Sequence, residues 1–165
     1  MPILDPNSIE FISRSPEQTR RVGMRLGAII RDRDLICLEG DLGSGKTTFV
    51  QGLAAGWGTL DQVSSPTYVL VNLYRHPTGK RLYHVDSYRL KSSAEAEDLD
   101  LDAMLANGSM VIEWAERIKP ILPEECMWIK LKDISENQRD LIFTARGKPY
   151  RKILDIFRLR LYGGL

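Results

Sequence analysis

Short apolar runs separated by glycine, proline and charged turns set the rhythm of this chain. Residues 35–38 (Leu35-Ile36-Cys37-Leu38) are apolar without alternation, which suits a strand covered on both faces in a parallel sheet. Residues 8–12 (SIEFI) and 110–114 (MVIEW) are further short strands. Residues 67–74 and 81–88 are rich in β-branched and aromatic side chains, and His76-Pro77-Thr78-Gly79 between them is turn chemistry, so they form an antiparallel pair. Residues 127–131 and 141–145 make a second such pair.

Helical spacing alternates with these runs. Ser15-Pro16-Glu17-Gln18 has the form of a helix start, and Val22, Leu26, Ile29 and Ile30 give the helix its apolar stripe. A helix follows the glycine-rich turn after residue 38 and runs to about residue 55, stopped near Gly56 and Gly58. Residues 94–107 form one acidic helix ended by Asn107-Gly108. The last helix covers about residues 149–162, with Leu154, Phe157 and Leu161 at three- and four-residue spacing. Strands alternating with helices predict an α/β fold.

Composition adds bounds. A chain of 165 residues with 43% hydrophobic and 27% charged residues fits one soluble domain with a substantial core. The net charge of +1 gives no global pull toward nucleic acid or membrane. The charge is uneven, however: from Arg146 onward six Lys/Arg face one Asp, a local +5 that leaves −4 on the rest. The last helix is therefore either a basic face for a nucleic acid or an acidic partner, or a cap that keeps its charges in water. Cys37 and Cys126 lack metal-type spacing and read as two buried thiols of a reducing cytoplasm. The first residues have neither the basic region nor the long apolar core of a signal peptide, and no run reaches the length of a membrane helix.

Candidate chemistry concentrates in GDLGSGKTTF, residues 40–49. Gly40, Gly45, Lys46 and Thr47 match G-x-x-x-x-G-K-[ST], set between a buried strand and a helix. Glycine lets bare backbone approach a phosphate, successive N–H groups form an anion-binding concavity, and the helix start adds its positive end. Lys46 supplies charge to the β/γ-phosphates, the Thr47 hydroxyl is a Mg²⁺ ligand, and Thr48 is either a plain helix residue or a second hydroxyl beside the site. Hydrolysis also needs carboxylates at neighbouring strand ends, and Asp86 and Glu113 each close an apolar run. His84, two residues before Asp86, shares its strand face and reads as a satisfied structural histidine. Trp114 is either core or a platform beside the nucleotide. Asp86 is not followed by x-x-Gly and no N-K-x-D stretch is present, which favours ATP over GTP, and the LSGGQ-like signature of a transporter-type ATPase is missing.

Together GDLGSGKTTF, SPTYVLV, YHVDSYRL and VIEW resemble the TsaE (YjeE) family over roughly residues 10–145. The resemblance implies a single P-loop NTPase domain, with a mainly parallel sheet edged by antiparallel strands and helices on both faces. It implies ATP/ADP and Mg²⁺ as ligands. Leu42, Gly43, Ser44, Gly45, Lys46 and Thr47 would hold the phosphates, Thr47 and Glu113 the Mg²⁺, and Asp86 would act at the γ-phosphate or its water. Thr67 matches a switch-like threonine and Trp114 a tryptophan beside the site, while Ser15 and Arg139 would lie near the base. The family's role is that of an ATPase in the threonylcarbamoyl modification of tRNA adenosine next to the anticodon. There it joins TsaB and TsaD in a nucleotide-dependent way, without itself making the modification. Two other classes remain at this stage: a small-molecule P-loop kinase, whose only lid would be the acidic residues 91–100, and a nucleotide-gated binding module with negligible hydrolysis.

Overall fold

The computed structural model describes residues 5–63 and 71–162. Seven strands form one mixed sheet: β1 (Ser8–Ser13), β2 (Leu35–Glu39), β3 (Val71–Arg75), β4 (Arg81–Asp86), β5 (Ser109–Glu113), β6 (Cys126–Asp133) and β7 (Arg139–Arg146). Their order is β1-β7-β6-β2-β5-β4-β3. The centre β6-β2-β5-β4 is parallel, and β3 on one side and β7 and β1 on the other close it with antiparallel pairs. The helices are α1 (Pro16–Gly27), α2 (Lys46–Trp57), α3 (Ser93–Glu97), α4 (Leu101–Asn107) and α5 (Lys148–Tyr162), with two short 3₁₀ turns, Ala115–Arg117 and Lys119–Ile121.

Strand pleating divides the core in two. Ile36 and Leu38 of β2 face the layer built by α1, α2 and α5, with Leu26, Phe49, Leu53, Leu154 and Phe157. Leu35 and Cys37 face the opposite layer, where α3, α4 and the first 3₁₀ turn bring Ala96, Leu101 and Ala115. The apolar run at 35–38 is thus buried on both faces, as its lack of alternation predicts. Cys37 and Cys126 are both free and buried.

Three expectations are corrected. The acidic stretch 94–107 is two helices, because Asp100 turns left-handed at φ 55, a conformation that aspartate tolerates better than most residues. That break lets Ala96 and Leu101 both reach the core. Gly56 does not stop α2, which continues to Trp57 and ends on Gly58 at φ 106. Trp114 lies beyond β5, at φ 59, as the chain turns into the 3₁₀ segment. β3 is observed from Val71 to Arg75, and the earlier part of the 67–74 expectation, Thr67 included, lies outside the described residues.

The capping expectation holds at Ser15, while the Gln18 side chain reaches back one residue further, to Arg14. Gln18 N–H donates to Ser15 Oγ at 3.1 Å, and Arg14 N–H donates to Gln18 Oε1 at 2.7 Å. On α5, Ile153, Leu154 and Phe157 pack into the core while Arg151 and Lys152 stay exposed. The Tyr150 hydroxyl accepts from Leu35 N–H at 2.8 Å, and burial pushes its pKa to about 12. The apolar stripe of this helix caps the sheet.

α1 and α2 meet along glycines spaced by four, Gly23 and Gly27 against Gly52 and Gly56. A methyl group on Gly52 would run into the Arg20 carbonyl, and one on Gly56 into that of Met24. The seam holds the P-loop helix at backbone contact with its neighbour. Alanine in place of a solvent-facing helix glycine usually stabilises by about 1 kcal/mol. Here overpacking reverses the sign: Gly52→Ala should lose about 1–3 kcal/mol, read as a lower urea midpoint at unchanged slope.

Candidate functional site

The parallel strands β2, β5 and β4 end on the same edge of the sheet, and a cleft of about 330 Å³ opens there. Ligands of open α/β sheets sit at this carboxyl edge. β2 runs into the glycine-rich turn. Gly43 at φ 76 and Gly45 at φ 98 occupy left-handed backbone that side chains disfavour, and α2 starts directly at Lys46. Leu42, Gly43, Ser44, Gly45, Lys46, Thr47 and Thr48 all line the cleft.

Lys46 is 5% exposed. Its Nζ donates to the carbonyls of Gly40 (2.6 Å) and Asp41 (2.7 Å) and to Ser44 Oγ (3.2 Å), and lies 4.1 Å from the Trp114 ring centre. Burial lowers its pKa below the ordinary 10.5, against the nearby acids, with Glu113 first among them. Among the described residues no carboxylate forms a salt bridge with it. A buried ammonium held only by neutral acceptors leaves its charge available to an anion in the cleft.

Opposite Lys46 stand the two strand-end acids, paired in register as Asp86↔Glu113. Glu113 is 3% exposed and accepts from Thr47 Oγ1 at 3.0 Å through Oε1. Its Oε2 lies 2.5 Å from His84 Nε2. Asp86 accepts from Tyr88 N–H at 2.9 Å. Burial raises the Asp86 pKa, and the charge of Glu113 adds to it. The folded state therefore binds a proton more tightly than the unfolded chain, and stability falls as pH rises from about the ordinary 3.8 through the raised value. Asp86→Asn should melt higher than wild type above that window, and the two melting curves should converge below it.

Trp114 completes the wall. Tyr88 packs on it with centroids 5.0 Å apart, and the Arg117 guanidinium lies 5.1 Å and 5.3 Å from the Tyr88 and Trp114 rings. A left-handed φ is rare for a bulky aromatic residue, and here it sets the indole over Lys46. Arg139 lines the far rim, donating to Gly43 O at 3.0 Å and pairing with Asp133 at 3.2 Å, so it ties the β6–β7 turn to the P-loop. Ser15 is not among the lining residues; its hydroxyl caps α1, and Pro16 and Thr19 of that helix reach the cleft instead. Sequence reasoning missed Pro16, Thr19, Tyr88 and Asn137 on the lining. Tyr88 alone had a signal, as the tyrosine two residues after Asp86.

The family model of the threonylcarbamoyl adenosine biosynthesis protein TsaE matches residues 13–141. The chain belongs to the TsaE family. It is 37% identical over 142 residues to the Bacillus subtilis (strain 168) protein named for tRNA threonylcarbamoyladenosine biosynthesis, covering 86% of this chain and 88% of that one. It is 38% identical to its Streptomyces coelicolor namesake, covering 79% of this chain and 93% of the relative. A solved structure, Bacillus subtilis YdiB, superposes with a TM-score of 0.77 at 30% identity, over 93% of this chain and 95% of YdiB. The TsaE match spans the P-loop, Asp86, Glu113 and Arg139, and stops short of α5.

Proposed function

We propose that residues 1–165 form one P-loop ATPase domain that binds and hydrolyses ATP with Mg²⁺ in the cytoplasm, in the threonylcarbamoyl modification of tRNA adenosine. It acts as a nucleotide-dependent assembly and reset factor for a transferase built from TsaB- and TsaD-type proteins, with tRNA contact indirect. The buried Lys46 ammonium, held by two backbone carbonyls and the Ser44 hydroxyl and lacking an acidic partner among the described residues, is the observation that carries nucleotide binding. The free thiols of Cys37 and Cys126 suit a reducing compartment, and among the described residues no helix is long and apolar enough to cross a membrane.

Mg²⁺ fits the donor set. Thr47 Oγ1 and Glu113 Oε1 lie 3.0 Å apart, close to the separation of about 2.9 Å between adjacent oxygens of an octahedral Mg²⁺ site. Thr47 and Glu113 would hold the ion, which neutralises charge on the β- and γ-phosphates when bound. The N–H groups of residues 43–48 and Lys46 fix the phosphates. Trp114 and Tyr88 screen the γ-phosphate end from water, and Ser15 lies outward of Thr19 at the start of α1. Asp86, whose proton affinity burial raises above that of a free aspartate, is the base that orients the attacking water and takes its proton.

Co-purification with TsaB- and TsaD-type proteins tests the assembly role. The complex should persist with ATP and Mg²⁺ and dissociate with ADP. Equal recovery in both nucleotides would remove the switch.

A further inference from the structure

Three buried groups in series stand behind the site. The Tyr74 hydroxyl lies 2.8 Å from His84 Nδ1, His84 Nε2 lies 2.5 Å from Glu113 Oε2, and Glu113 Oε1 accepts from Thr47 at 3.0 Å. Tyr74, His84 and Glu113 are 2%, 0% and 3% exposed, so water does not substitute for any link. An ionised carboxylate only accepts, so Nε2 must carry the hydrogen. In the tautomer with its hydrogen on Nε2, Nδ1 is an acceptor, and the Tyr74 hydroxyl donates to it and favours that tautomer.

We infer that Tyr74 and His84 are positioning residues for Glu113, which hold its Oε2 inward and leave Oε1 turned to Thr47. The inference rests on the Mg²⁺-ATP reading given above. β3, β4 and β5 are adjacent strands, so the chain of contacts runs from the sheet's antiparallel edge to the P-loop helix across a single face. His84 alternates with Leu82 on that face, where an aliphatic side chain would satisfy packing alone. A ring bonded at both nitrogens does more: it fixes the rotation of a carboxylate whose outer oxygen faces the metal position. Outer partners of this kind typically carry about 10- to 100-fold in metal affinity.

The test is calorimetric ATP affinity of the full chain with and without Mg²⁺, together with thermal melts. Wild type should bind ATP more tightly when Mg²⁺ is present. Tyr74→Phe, which deletes one oxygen, should lose about tenfold of that gain while Mg²⁺-free ATP affinity stays put. In His84→Gln the amide can donate to Glu113 without help from Tyr74. It should retain most of the gain, and adding Tyr74→Phe to it should cost nothing further. An equal Mg²⁺-dependent loss from Tyr74→Phe in both backgrounds, or none in either, overturns the inference. So does a drop confined to melting temperature or Mg²⁺-free affinity. A wild type indifferent to Mg²⁺ sinks the metal reading itself, and this inference with it.

Discussion

Lys46→Ala is expected to weaken ATP binding about tenfold to a hundredfold and to leave the fold intact. A charge-assisted hydrogen bond is worth about 1.5–3 kcal/mol, and each 1.4 kcal/mol is a factor of ten. The acceptors that Lys46 leaves behind are the carbonyls of the half-buried Gly40 and the exposed Asp41, where water can replace it. Removing a buried ammonium also lifts its desolvation cost, the cause that lowers its pKa. Calorimetry with ATP, beside a thermal melt of the free protein, separates the two effects. Unchanged affinity would remove the P-loop assignment.

Glu113→Gln is expected to cut ATP turnover by about a hundredfold or more, because it removes a fixed charge from the reacting end of the site. Its surroundings accommodate the change. Glu113 accepts from Thr47 on one oxygen and faces His84 on the other, whereas a glutamine offers one acceptor and an NH₂. That NH₂ is met when the Thr47 hydroxyl turns to accept from it, while the amide oxygen goes on accepting from His84. The variant should therefore turn over more slowly while melting close to wild type, with Mg²⁺-free ADP affinity retained. A lower melting temperature with normal phosphate release would make Glu113 a structural strand-end acid.

Legibility in the sequence followed the range of each interaction. The phosphate loop is local, so Gly45, Lys46 and Thr47 announce it in consecutive positions, and the structure brings them to one cleft. Asp86 and Glu113 are legible because an acid that ends an apolar strand needs a reason to be there. The break at Asp100 left no glycine or proline to mark it; the need to bury Ala96 and Leu101 together decided it. Gly56 looks like a helix stop until the neighbouring helix is known, for only then does its spacing with Gly52 become a contact surface. Tyr74 and His84 meet through strand register, which pairs Asn72 with His84 and sets Tyr74 diagonal to it. A list of residue types does not show that register. The basic helix could have faced either way, and burial of Ile153, Leu154 and Phe157 turned its stripe inward.

The most direct test of the central claim is multiple-turnover tRNA modification by TsaB- and TsaD-type proteins, with and without this chain. With wild type, ATP and Mg²⁺, modified tRNA should accumulate well beyond the amount of transferase. Without the chain, or with Glu113→Gln in its place, it should stop near one product per transferase. Product that accumulates equally in all three would contradict a role for ATP hydrolysis at this site in resetting the transferase.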